Sequence, residues 1–324
     1  MRTKLFGYEM PTVTAIFKAY EDAQQPRHNN RLSGGVIGHE CERALWLKFR
    51  WAYEPTVFDG RMLRLFETGH QQEARLIEDL RRAGVEVWDR DDKTGEQFTV
   101  TAHGGHYVGK LDGVLSGVPE APKTPHLFEA KSHNRKSFSA LQSKGVEKSK
   151  PEHYAQMQSY IDMMGLTRGL YLAVCKDDEA IYAERLEMDP VFCASLSAKA
   201  IRVISAERPA PPIRSDDSAP PCAWCPAKGL CFDGRWAPRN CRTCVHATPE
   251  MDGDARWSCA LHKIDLTIED QKAGCVQHLY IPDLVPGEQI DASPADGIIT
   301  YRINGEEWVD GVETNPVAIS EPAP

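Results

Sequence analysis

The stretch HLFEAKSH, residues 126–133, sets the fold. Leu127, Phe128 and Ala130 give it the apolar character of a strand, and polar Asn134 and Arg135 close it. Glu129 and Lys131 lie two apart, so on a strand both side chains point to one face. Upstream, VEVW (85–88), QFTVTA (97–102) and HYVGKLDGVLSG (106–117) read as strands joined by Gly, Asp and Pro turns. This places Asp112 within the middle strand, followed by Gly113. The pattern predicts a long helix over 61–83, with Leu65, Ala74, Leu76, Ile77 and Leu80 on one side and Gly84 as its stop.

Downstream, 133–150 reads as a polar loop carrying Arg135, Lys136, Lys144, Lys148 and Lys150 against Glu147 alone. Pro151 opens a helix to about Gly165. RGLYLAVCK and AIYAERLEM are further strands, and Asp189-Pro190 opens a helix to about Glu207. Helix, three strands, helix and strand in this order predict an α/β core. A weak helical pattern over 11–24, a loop over 25–35 and a helix over 38–51 precede it. A Pro-rich linker, 207–221, follows it.

Two acids and a lysine on adjacent strands make a divalent-metal site, and hard carboxylate oxygens suit Mg²⁺ or Mn²⁺. Such an ion polarises a phosphodiester and lowers the pKa of a bound water. The lysine orients that water or stabilises the developing charge. Gln156 and Tyr160, at i and i+4, share one face of the helix that follows.

With these residues in place the sequence resembles the PD-(D/E)XK nuclease superfamily in its RecB-like branch, over roughly residues 38–235. The resemblance implies a restriction-endonuclease-like core, a mixed central sheet flanked by helices, that hydrolyses DNA backbones. Asp112, Glu129 and the Ala130 carbonyl would hold the metal, Lys131 would activate water, and Gln156 and Tyr160 would position DNA or the network beside the lysine. The family's first motif falls on the long helix. There His70 resembles the metal-binding histidine of RecB-like members, and Glu73 resembles the acid of phage exonucleases. Residues 135–150 would contact phosphates through Arg135, Lys136, Lys144, Lys148 and Lys150.

Eight of the ten cysteines fall into two sets, and without a secretion signal clustered cysteines read as metal ligands. Cys222, Cys225 and Cys231 lack a fourth partner, and Cys41 stands far upstream. This split set resembles that of the CRISPR adaptation nucleases and AddB-like proteins. The resemblance implies a structural [4Fe-4S] cluster; zinc on the same residues is the alternative. Cys241, Cys244, Cys259 and Cys275 have the spacing of a zinc site, with His246, His262 and His278 as spare ligands.

The expected organisation is a nuclease domain over 1–235, a cysteine-rich zinc module over 236–285 and an acidic tail with a small hairpin over 286–324. Nine acidic residues against Arg302 alone place −8 of the net charge of −9 within 276–324, so the near-neutral body does not argue against a nucleic-acid partner. At 41% hydrophobic and 26% charged residues, with no apolar run long enough to span a bilayer and no secretory h-region, the chain reads as globular and non-membrane. The function expected is that of a cytoplasmic, metal-dependent DNA exonuclease of phage or bacterial recombination and repair. Alternatives are a CRISPR-adaptation trimming enzyme and a nuclease-fold DNA-binding subunit of a larger complex. The cysteine-rich module would meet DNA or a protein partner.

Overall fold

The computed structural model describes residues 4–5 and 8–311, which form two compact units. The first takes residues up to 40 together with 55–202, and the second takes 41–54 together with the chain from 203 onward. These divisions do not coincide with the expected boundaries at 235 and 285. Among the described residues no helix is long and apolar enough to cross a membrane.

In chain order the first unit starts with the short pair β1 (Lys4–Leu5) and β2 (Tyr8–Glu9), helix α1 (Pro11–Ala23) and strand β3 (Leu32–Ser33). Helix α2 (Glu42–Phe49) belongs to the second unit. The first unit resumes with α3 (Gly60–Arg82), β4 (Glu86–Trp88), β5 (Thr99–Ala102), β6 (Tyr107–Lys110) and β7 (Gly113–Ser116). It continues through β8 (His126–His133), α4 (Arg135–Ser149), α5 (Pro151–Met163), β9 (Arg168–Cys175), β10 (Ile181–Glu187) and α6 (Pro190–Ser205), whose last turn crosses into the second unit.

The central sheet runs β10-β9-β8-β7-β4. β8 and β9 are parallel and every other neighbouring pair is antiparallel, so the sheet is mixed. The parallel pair requires a crossover, which α4 and α5 supply. β8 is covered on both faces, and its period-2 alternation sorts its side chains. Leu127 packs with Leu141, Val146, Met157, Tyr160 and Ile161 of α4 and α5. Phe128 and Ala130 pack with Leu76 and Ile77 of α3. Glu129, Lys131 and His133 therefore share the face of Leu127. A smaller sheet, β3-β6-β5, stands apart.

Several expectations need correcting. The 106–117 strand is two strands in different sheets, and Asp112 sits at the break between β6 and β7 rather than inside a strand. The basic 133–150 segment is not a loop. Asn134 caps α4 by accepting from Ser137 N at 2.9 Å, and Phe138, Leu141 and Val146 bury its inner side. Gly145, at φ 72° and ψ 176°, kinks α4, and there Val146 N donates to Glu184 Oε2 at 2.8 Å. On α3 the buried face is Leu76 and Ile77 with partly buried Leu80, whereas Leu65 and Ala74 are exposed.

In the second unit, residues 41–54 are held by two buried arginines set among aromatic rings. The Arg242 guanidinium lies 3.8 Å from the Trp51 ring centroid and 4.6 Å from that of Trp257, and it donates to Phe49 O and Gln271 Oε1. Arg50 donates to Ala206 O and Ala247 O and lies over Trp46 and Trp257. A short helix, α7 (Lys228–Phe232), is followed by a small sheet of β11 (Ala247–Pro249), β12 (Trp257–Cys259) and β13 (Ile264–Asp265), then by α8 (Ile268–Ala273). The expected tail hairpin is a three-stranded antiparallel sheet of β14 (Glu288–Ser293), β15 (Ile298–Ile303) and β16 (Glu306–Asp310). Asn304 and Gly305, both at positive φ, make its second turn. Residues 312–324 of the expected acidic tail lie outside the described residues.

Candidate active site

β8 carries the centre of the site. Lys131 Nζ donates to Glu129 Oε1. Glu129 is fully buried, and its Oε2 is buried with no hydrogen-bond partner. The Lys131 side chain keeps a quarter of its surface exposed, so the pair runs from the sheet interior to an opening. Burial pushes Glu129 up to about 7, against the pull of the Lys131 ammonium and with a further push from Asp112. For Lys131, burial acts downward, but Glu129, Asp112 and Glu73 together raise it, so it stays charged.

Asp112 stands beside this pair because the β6–β7 break lets its Oδ2 accept from Ala130 N at 2.9 Å. Burial raises its pKa too, against Lys131. α3 brings both first-motif residues to the same place. Glu73, partly buried, is raised by burial and then by Asp112 and is lowered by His70 and Lys131, while His70 is exposed.

Tyr160 of α5 also reaches this group, and Gln156 lies one turn before it on the same helix face. Tyr160 is buried and is raised first by burial and then by Glu129. Its ring lies against backbone at Gly34 and Gly109; a Cβ on Gly109 would stand 2.5 Å from Tyr160 Cε1. Gly35 faces both the Tyr160 hydroxyl and the Gln156 amide. Of the five basic residues expected to meet phosphate, Arg135 is paired with Asp178 and Lys150 donates to Ser137 Oγ at 2.7 Å. Lys136, Lys144 and Lys148 are exposed on α4.

Behind the pair lies a group that the sequence reading passed over. Lys150 donates to Ser137 Oγ, which bonds His133 Nδ1 at 3.2 Å; His133 Nε2 bonds the Tyr171 hydroxyl at 2.9 Å, and His153 Nδ1 bonds that hydroxyl at 2.9 Å. Burial and then the Lys150 and Lys131 charges push His133 down to about 4. His153 falls to about 3, by burial and then Lys131. Both imidazoles are neutral at physiological pH. The strand register held a signal, since His133 continues the 129, 131 alternation and Tyr171 is the β9 partner of Glu129.

Eight of the ten cysteines lie as two sets within the second unit, and Cys175 and Cys193 are buried in the first. Cys222 and Cys225 are pushed up by burial, and Cys41 and Cys231 act on both. Cys41 Sγ caps α2 by accepting from Ala44 N, and Cys231 Sγ accepts from Arg43 Nε at 3.3 Å. Cys241, Cys244, Cys259 and Cys275 line one cavity with His246, His262 and His278. There burial and the neighbouring thiols push Cys241 up to about 11. His278 Nε2 bonds Thr243 Oγ1 at 3.1 Å, and its buried Nδ1 has no hydrogen-bond partner. No cysteine pair is bridged among the described residues. Among those residues, too, no three His, Cys, Asp or Glu side chains stand as they are in an arrangement that holds a metal ion.

No protein-family model matches the chain, and no curated protein sequence does. Among solved structures it is similar to an alkaline exonuclease from Laribacter hongkongensis, at 14% identity and a TM-score of 0.39, covering 59% of this chain and 90% of that one. The complex of LHK-Exo with dAMP gives 16% identity at the same TM-score and coverage. A phage-related exonuclease from Haemophilus somnus 129PT gives 13% identity and a TM-score of 0.37, over 50% of this chain and 77% of that one. These likenesses are too distant to carry the fold or the chemistry, which rest on the chain's own residues.

The neutral histidines set an acid limb. A folded pKa of about 4 or 3 lies below the 6.5 of an exposed imidazole, so each contributes stability that is complete above about 6.5 and drains away as pH falls toward the folded value. His153→Gln should flatten the loss of unfolding free energy between about pH 6.5 and 4, read by urea unfolding at a series of pH values. An acid limb as steep as the parent's would remove His153 as its source.

Proposed function

We propose that the chain is a Mg²⁺- or Mn²⁺-dependent DNA exonuclease of phage or bacterial recombination and repair. The observation that supports this most is the buried, unpartnered Oε2 of Glu129 beside a charged lysine and Asp112. An uncompensated buried carboxylate oxygen is costly, and a hard cation is the partner that would satisfy it. In this reading Glu129, Asp112, the Ala130 carbonyl and one or both of His70 and Glu73 hold the ion. When bound, the ion supplies Lewis acidity toward a phosphodiester and a more acidic water. Lys131, kept charged by its acidic neighbours, orients the attacking water and meets the charge that develops on the phosphate. The Tyr160 ring, wedged on Gly34 and Gly109, fixes α5 so that Gln156 borders the site. Lys136, Lys144 and Lys148 offer charges to the DNA backbone.

For the cysteines we propose a [4Fe-4S] cluster on Cys41, Cys222, Cys225 and Cys231, and zinc on Cys241, Cys244, Cys259 and Cys275. The first set is supported by the convergence of its four thiols and by the Arg43 bond to Cys231. The second is supported by its shared cavity, where the open Nδ1 of His278 offers a competing ligand. Both are structural roles, and the absence of disulfides fits a reducing compartment such as the cytoplasm.

End-labelled linear DNA should be shortened from its ends with Mg²⁺ or Mn²⁺ and left intact in EDTA, and closed circles should survive. Lys131→Ala, Glu129→Gln and Asp112→Asn should each lower the rate by about a hundredfold or more with the fold retained. Cleavage in EDTA, or unchanged rates in all three variants, would refute the assignment. Protein prepared without oxygen should be brown, with about four iron and one zinc per chain. Cys222→Ala should remove the colour and Cys241→Ala the zinc; a colourless chain holding two zinc ions would replace the cluster with a second zinc site.

A further inference from the structure

Helix α3 carries more than the first-motif residues. Phe66, His70 and Glu73 are spaced i, i+4 and i+7, so they form one stripe along the helix. At its inner end Glu73 meets Asp112 and Lys131. At its outer end Phe66 is 42% exposed, beside Phe58 at 37%. Between them Gly69 opens the stripe, since a Cβ placed there would have nothing within 4 Å.

The two rings are not loose surface residues. Their centroids lie 5.0 Å apart at 84°, an edge-to-face contact, and both residues stay more than a third exposed. Phe58 is pinned through its backbone, because its N–H donates to Gln24 Oε1 at 2.9 Å and its carbonyl accepts from Gln24 Nε2 at 3.0 Å. The turn after it is fixed as well. Asp59 caps α3 by accepting from Met62 N, and Gly60 N donates to Glu21 Oε1 at 2.8 Å. Tyr20 donates to Glu67 one residue beyond Phe66. Exposed aromatic rings on a clamped backbone, continuous with the active-site stripe, are preorganised to receive a flat ligand.

We propose that Phe66, buttressed by Phe58, is a stacking platform for a nucleobase of the strand that enters the site. The proposal rests on the nuclease reading above. Seven residues at the α-helical rise place Phe66 about 10 Å along α3 from Glu73. At about 3.4 Å per base step this is roughly three bases from the reacting phosphate. The sugar and phosphate of the intervening nucleotides pass over Gly69, the one position of the stripe with no side chain. Stacking on a phenyl face tolerates any base, so the platform adds affinity and register without sequence preference.

The test uses Lys131→Ala as a parent that binds without cutting. Single-stranded oligonucleotides carry 2-aminopurine at the second, third or fourth nucleotide from one end or the other. Stacking on Phe66 should quench the probe at one of these positions. Phe66→Ala should abolish that quenching and weaken binding roughly five- to a hundredfold, while Phe66→Trp restores both and Phe66→Leu does not. Gly69→Leu should melt at the parent's temperature or above, because the site is open and glycine is a poor helix former, yet bind more weakly. Unchanged binding and quenching in Phe66→Ala, or full function in Phe66→Leu, overturns the platform and leaves the nuclease reading standing if DNA is still cut. A shift in oligomeric state on Phe66→Ala with binding intact assigns the rings to a second copy and overturns it too. Wild-type protein that neither cuts nor binds DNA ends both claims.

Discussion

The structure depends on one constraint: a carboxylate buried completely inside the sheet, with a lysine as its single hydrogen-bonded partner among the described residues. Glu129 is inaccessible to water, Lys131 meets one oxygen, and the other oxygen is left without a donor. Removing a charge from water costs several kcal/mol, and a half-satisfied carboxylate recovers little of it. A fold built for stability alone would bury Leu here. The neighbouring architecture serves this position. β8 is central, so both its faces are covered; the chain breaks after β6 so that Asp112 can reach the Ala130 amide; and α3 delivers Glu73 and His70. Neutral His133 and His153 line the inner side, where charged imidazoles would repel the lysine.

The second unit solves a different problem. Its secondary structure is short, and beside buried aliphatic residues it holds a pair of guanidiniums among Trp46, Trp51, Trp257 and Phe49. Arginine is suited to this use because it stacks on rings while its donors satisfy backbone carbonyls. These contacts hold the 41–54 segment, and Cys41 at its start acts on Cys222 and Cys225.

What the sequence disclosed follows from the range of each signal. The Glu129–Lys131 pairing was legible because strand alternation is local, and α3 with its stop at Gly84 was legible because helical period and a positive-φ glycine are local as well. α4 reads as a loop because its lysines and serines outweigh Phe138, Leu141 and Val146, whose burial comes from α5 and the strands β8, β9 and β10 and not from the helix itself. The break at Asp112 was invisible because alternation continues through Lys110 and Gly113 while the hydrogen-bonding partner changes. Of the His133–Tyr171–His153 group, only His133 shares the local alternation of Glu129 and Lys131; Tyr171 and His153 join it from two other elements. Leu65 and Ala74 fit the apolar pattern of α3 but face solvent, so periodicity alone overstated that helix's core.

The central claim is that the Glu129 carboxyl, held near neutrality by burial, is the seat of a divalent cation. Calorimetric titration of the protein with Mn²⁺, repeated in buffers of different ionisation enthalpy, tests it directly. A carboxyl whose pKa burial has raised holds its proton to higher pH than a free one, and the incoming cation must displace that proton. The account predicts Mn²⁺ binding with proton release that grows from pH 7 to pH 6, and loss of the Glu129 share in Glu129→Gln. Mn²⁺ binding with no proton release, or binding that Glu129→Gln leaves unaltered, would contradict it.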